Sequence, residues 1–162
     1  VSTAVLSLGS NLGDSAARLS EAVRTLGRRV RAVSSVYRTP PWGPVPQDDF
    51  LNIVVIADDE SLDAGGWLAL CHRLEDAAGR TREVRWGPRT LDADVVVVDE
   101  DVFDDEDLVL PHPRAHERAF VLVPWAEIDP TAELPGHGPI AGLLERMPDA
   151  ELAGIRRVGH VD

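Results

Sequence analysis

The chain reads as an α/β (α+β) protein: a ferredoxin-like β-α-β-β-α-β core, a mostly antiparallel sheet with packed helices, and extra C-terminal elements. Three observations predict this. Apolar runs of strand length and two stripes of helical period follow one another in that order. Clusters of Gly, Pro, Asn and Asp separate them. The 162 residues give room for one hydrophobic core and little beyond it, so a single domain over residues 1–162 is expected.

Residues 3–8 form the first strand and run into the turn-rich "GSNLGD". Asp14 is placed to cap a helix whose apolar face is Leu19, Ala22, Val23 and Leu26, with Gly27 as its stop. Residues 30–37 read as a second strand. "TPPWGPVPQDD", residues 39–49, holds four prolines and is a loop, long enough to suggest a functional one. "FLNIVVIADD" from Phe50 is a third strand. Ser61 is expected to open a second helix with Asp63 in its first turn, an apolar stripe of Trp67, Leu70, Cys71, Leu74 and Ala78, and a stop at Gly79.

"RTREVRWGPRTL", residues 80–91, is a second long loop, and a strand begins at Asp92. Its four valines, Val95 to Val98, suit a strand buried on both faces. An acidic run follows, then a short strand, a proline-bounded turn and a helical stretch in "LVLPHPRAHERAFVLVPWAEI". The tail adds a short helix near residues 141–146 and a strand near 155–158.

Charge narrows the function. The balance is 28 acidic against 16 basic residues, a net −12, which argues against general nucleic-acid or anionic-membrane binding. Every basic residue is arginine, so a phosphate-binding lysine of the Walker type and a Schiff-base lysine are both excluded. A cationic phosphate contact must come from arginine or a protonated histidine. No run reaches the roughly 18 apolar residues of a membrane span, and the first residues read as a strand, not a signal peptide. A cytoplasmic location is expected. Cys71, the only cysteine, falls on the helical stripe as a small buried hydrophobe. "DEDVFDDED", residues 99–107, carries seven acids and reads as a solvated loop or short hairpin.

Asp92 and Asp94 are two apart on a strand, so their side chains share a face with backbones about 6.6 Å apart. Such a pair holds one hard cation or flanks two, and the same pattern also fits a strand start whose carboxylates cap loop amides. Arg80, Arg82, Arg85 and Arg89 precede the pair in one loop, and guanidinium groups bind phosphate oxygens in bidentate fashion. Together they describe a site for a magnesium–nucleotide complex and phosphoryl-type transfer. Phe50 and Asn52 share a strand face and could stack on and read the edge of a flat heterocycle. Phe120, in the later helix, reads first as a core residue. His112 lies in a proline-bounded loop, where it could touch phosphate; His72 and His116 are weaker candidates.

"RWGPRTLDADVV" closely resembles the signature of the 6-hydroxymethyl-7,8-dihydropterin pyrophosphokinase family. "LSLGSNLGD", "SSVYRTPPWGP", "FLN", "RLEDAAGR" and "LPHPRAHERAFVLVP" extend the resemblance in the family's order, with the C-terminal tail least covered. It implies transfer of pyrophosphate from ATP to the hydroxymethyl group of a reduced pterin, giving AMP and the pterin diphosphate in folate biosynthesis. By position it implies that Asp92 and Asp94 ligate two Mg2+ ions bound with ATP. Arg80 and Arg89 would act on the phosphates, with Glu75, His112 and Arg118 on the nucleotide side. Phe50 and Phe120 would sandwich the pterin while Asn52 reads its edge, with Thr39 and Trp42 lining the pocket. A monomer is expected.

The chain departs from the family pattern at Ala93, Phe50, Trp42, Glu83 and Pro113. Two other classes use parts of the same constellation: a metal-dependent phosphohydrolase, and a non-enzymatic ferredoxin-like ligand-binding module. The first has no need of a pterin slot, and the second none of paired aspartates beside an arginine loop.

Overall fold

The computed structural model describes residues 1–41, 43–79 and 90–161. The core elements are β1 (Ser2–Ser10), α1 (Ser15–Leu26), β2 (Val30–Val33), β3 (Val36–Thr39), β4 (Phe50–Asp59), α2 (Ala64–Ala77) and β5 (Asp92–Val98). After them come β6 (Phe103–Asp104), β7 (Val109–Leu110), α3 (Ala119–Ile128), β8 (Glu133–Leu134), β9 (Gly138–Pro139), α4 (Ile140–Glu145), α5 (Asp149–Ala153) and β10 (Arg156–Gly159). The main sheet runs β10-β3-β4-β1-β5, with β2 also on β4, and its pairings are antiparallel. This is the expected split βαβ order, with the tail strand added at one edge. Among the described residues no helix is long and apolar enough to cross a membrane.

Both faces of the sheet are covered. α1 and α2 bury Leu19, Ala22, Leu26, Trp67, Leu70, Cys71 and Leu74 against Leu6, Leu8, Ile53, Val55, Ala93 and Val95. On the other face α3 and α4 set Val121, Leu122, Trp125 and Ile140 against Val5, Val54, Val96 and Val97. The four valines therefore serve two cores. Val95 and Val98 face the first, while Val96 and Val97 both face the second, because a register shift opposite Val5 and Leu6 interrupts the alternation.

Local signals set most boundaries. The Asp14 carboxylate accepts from the Ala17 amide at 3.1 Å, and Gly27 ends α1 at φ +59°. Two expectations change. Residues 30–37 are two strands, broken at Ser34 and Ser35. Ser61 does not open α2: its amide and hydroxyl both donate to Asp59 Oδ1, and Asp63 is the cap, accepting from the Gly66 amide at 2.8 Å. The acidic run forms the solvated β6–β7 hairpin. Cys71 is fully buried, and burial pushes its thiol well above the ordinary range, consistent with a packing role.

Candidate active site

One cross-strand row organises the site. Asp92 pairs with Gly9, Gly9 with Asn52, and Asn52 with Tyr37, on four adjacent strands. Alternation along each strand points this row to the face covered by α3. Neighbouring strands lie about 4.8 Å apart, so the carboxylate end and the amide end of the row are separated by roughly 10 Å. Asp94 and Phe50 flank the row on the same face.

At the acidic end, Asp92 and Asp94 line a cleft of about 370 Å³ with His72, Glu75, Glu106, Asp107 and His112. Arg118, just before α3, brings Nη1 to 3.8 Å from Asp94 Oδ2, and its guanidinium lies 5.4 Å above the Phe120 ring. Burial acts to lower the Arg118 pKa, against the pull of Asp94. Glu75 is buried on α2, and its Oε2 accepts from the Ala93 amide at 2.9 Å. It thereby fixes the peptide between the two aspartates on an edge strand.

His112 lines the same cleft as the two aspartates. Burial, then Arg118 and Arg114, lowers its pKa to about 4, so it is neutral near pH 7 and not a cationic contact. Its Nδ1 accepts from the Arg114 amide at 3.2 Å. The proton of the neutral ring therefore sits on Nε2, available as a donor.

At the other end, Asn52 is buried and donates from Nδ2 to Thr39 Oγ1 at 2.7 Å. Thr39 pairs with Phe50, and Thr39 and Phe120 share a second cleft of about 320 Å³ with Pro40, Pro41 and Gly154. Phe120 is half-buried: it packs on the second core and also borders this cleft. Asp92, Asp94, Phe50, Asn52, Thr39, Arg118 and Phe120 thus gather on the α3 side of the sheet, in two neighbouring clefts, while Glu75 reaches the Ala93 amide from α2 on the other side. Arg80, Arg89 and Trp42 lie outside the described residues.

Two residues escaped the sequence reading. Gly9 matters because a Cβ there would stand 2.7 Å from Asn52 Oδ1 and 3.6 Å from Phe50. Buried Asn11 donates from Nδ2 to Gln47 Oε1 and the Asp48 carbonyl, both at 2.8 Å, tying the turn after β1 to the loop before β4. The sequence reading placed both in the turn "GSNLGD", but Gly9 stands on β1, which runs on to Ser10, and Asn11 follows directly after it.

The donor set suits a hard divalent cation: two partly exposed carboxylates on one strand face, at the wall of a cleft. Among the described residues no group of three or more His, Cys, Asp and Glu side chains converges to cage a metal. The remaining positions on a cation would go to substrate oxygens and water, as suits a nucleotide-bound ion.

A family model described as 7,8-dihydro-6-hydroxymethylpterin-pyrophosphokinase matches residues 5–130. The chain is 44% identical over 164 residues to the 2-amino-4-hydroxy-6-hydroxymethyldihydropteridine pyrophosphokinase of Mycobacterium bovis, covering 94% of this chain and 87% of that protein. It is 48% identical to that of Methylorubrum extorquens, covering 96% and 98%. Crystal structures of Plasmodium falciparum HPPK-DHPS share the fold at 13% identity. The wild type with pteroate gives a TM-score of 0.69, covering 90% of this chain and 44% of that one. The chain thus spans less than half of that longer protein, and the likeness bears on fold alone.

Proposed function

This chain belongs to the 7,8-dihydro-6-hydroxymethylpterin-pyrophosphokinase family, and on that premise we propose how its own residues carry the reaction. It is an ATP-dependent pyrophosphokinase of folate biosynthesis: pyrophosphate passes from ATP to the hydroxymethyl group of 6-hydroxymethyl-7,8-dihydropterin, giving AMP and the pterin diphosphate. The row from Asp92 through Gly9 to Asn52 is the observation that supports the residue assignment. A heterocycle read at Asn52 would extend its substituent toward a polyphosphate held at Asp92 and Asp94.

Asp92 and Asp94 would hold magnesium, two ions in this reading, on the ATP phosphates. When bound, magnesium neutralises phosphate charge and supports in-line displacement at the β-phosphorus. Arg118 supplies a guanidinium between the carboxylates and Phe120. His112 donates from Nε2 to a phosphate oxygen without adding charge. Glu75 keeps the Ala93 peptide, and with it both aspartates, in place. Arg80 and Arg89 complete the phosphate contacts in this assignment, and Trp42 the pterin wall. Phe50 and Phe120 stack on the pterin, and Thr39 orients the Asn52 amide for its edge. Catalysis of this kind is positioning plus electrostatics.

In this reading the chain acts as a monomer and as a single domain over residues 1–162, and ATP as the donor fits a cytoplasmic enzyme. Incubation with ATP, magnesium and 6-hydroxymethyl-7,8-dihydropterin, followed by product analysis, tests the function. AMP with the pterin diphosphate is expected. ADP or free phosphate with unchanged pterin would overturn it in favour of a phosphohydrolase, and intact nucleotide in favour of a binding module.

A further inference from the structure

β2 and β3 are two pieces of one strand with an extra residue between them. From Val33 to Tyr37 the chain advances four positions, while the β4 partners, Val55 and Asn52, are three apart. The surplus is a bulge at Ser34 and Ser35, both 1% exposed. Ser34 still pairs with β4: its amide donates to the Val54 carbonyl, and its hydroxyl accepts from the Val54 amide, each at 2.9 Å. Ser35 has turned the other way, toward α3.

There a single carboxylate receives it. Glu127, near the end of α3, accepts from the Ser35 amide at 2.8 Å and the Ser35 hydroxyl at 2.6 Å. It also accepts from the Tyr37 hydroxyl at 2.9 Å. Burial acts to raise the Glu127 pKa, but the bonds from Ser35 and Tyr37 outweigh it and hold the carboxyl below its ordinary value. The Tyr37 hydroxyl, buried against this carboxylate, is pushed up to about 12.

The two elements joined here are the ones that carry the two walls of the pterin slot. Tyr37 is the direct partner of Asn52 in the cross-strand row, and two residues later Thr39 bonds the Asn52 amide. At the other end of α3 stands Phe120. Without an acceptor the buried Ser35 amide would lose its bond, and undoing the bulge would shift β3 by one residue, turning Thr39 away from Asn52.

We propose that Glu127 is a positioning residue for pyrophosphoryl transfer: by fixing the Ser34–Ser35 bulge to α3 it sets the register of Thr39 against Asn52 and the distance to Phe120. This rests on the assignment of Asn52, Thr39 and Phe120 to the pterin. Glu127 faces the strand, not the carboxylate cleft, so its effect should fall on one substrate.

The test is the KM for each substrate in Glu127→Ala, with folding checked by circular dichroism. The KM for the pterin should rise about ten- to a hundredfold, as for misplacement of a reactant by a fraction of an ångström, with that for ATP nearly unchanged. Glu127→Gln keeps an oxygen for the Ser35 amide and should recover most of the loss. Should Glu127→Ala not fold, Tyr37→Phe, which removes one bond and keeps the ring, should raise the pterin KM a few-fold. Unchanged pterin KM in the folded variant, or equal rises for both substrates, would overturn the positioning role. A wild-type chain that makes no pterin diphosphate would overturn the functional assignment instead, so the two failures are distinct.

Discussion

Arg118 Nη1 stands 3.8 Å from Asp94 Oδ2, and the same guanidinium covers the Phe120 ring. One side chain therefore touches both ends of the site. The Asp94 side chain is 38% exposed, so the pair itself adds less than about 1 kcal/mol to stability. In the proposed assignment its value lies in catalysis, where a charged hydrogen bond to substrate is worth about 1.5–3 kcal/mol. Arg118→Met should lower kcat/KM by roughly 10- to 100-fold while leaving the melting temperature within a few degrees. Steady-state kinetics beside a thermal melt checks both halves. A large loss of stability with normal turnover would assign Arg118 to the fold.

Asp94→Asn separates metal binding from folding. Asp94 faces Arg118 as well as Asp92, Glu75, Glu106 and Asp107, so losing the ion pair offsets the relief of repulsion and the apo protein should change in stability by less than about 1 kcal/mol. With magnesium and ATP at about 100 times Kd, the wild type should gain roughly 2.7 kcal/mol, or about 5–10 °C in melting temperature. The variant should lose most of that gain. An equal shift in both proteins would place the cation elsewhere.

His112 gives a pH signature. Its folded pKa, about 4 against an ordinary 6.5, means that the unfolded chain binds the extra proton between those values. Its contribution to stability is present above pH 6.5 and is lost as pH falls toward 4. The loss is at most about 3 kcal/mol, less where solvent screens the ring. In His112→Gln the slope of unfolding free energy over this window should flatten, as read by denaturant titration at several pH values. An unaltered slope would show that the imidazole titrates normally in the folded protein.

The sequence carried the pattern-bearing parts of this structure. Asp14 and Gly27 bound α1 as read, and "FLNIVVIADD" coincides with β4. Asp92 and Asp94 share a face as period two requires. What was not legible depends on partners distant in sequence. The break at Ser34 and Ser35 is held through Ser35 by Glu127, more than ninety positions away, and nothing local marks it. Ser61 is a reasonable cap by residue type, but Asp59 engages it first. The depressed pKa of His112 was not legible either, because its burial and the nearness of Arg118 are tertiary facts.

Gly9 and Asn52 offer the sharpest test of the row. Asn52 Oδ1 occupies the space that a Cβ on Gly9 would need, 2.7 Å away, and its Nδ2 is committed to Thr39. A methyl group must therefore rotate the amide or push β4 from β1, and either disturbs the edge assigned to the pterin. Gly9→Ala should raise the pterin KM about tenfold or more, with a much smaller effect on ATP. Asn52→Ala should do the same by removing the amide. If the methyl acts only through that amide, the double variant should be little worse than Asn52→Ala alone, leaving a coupling energy of about 1 kcal/mol or more. Additive losses would mean that Gly9 acts through the backbone of β1, and through its other partner in the row, Asp92.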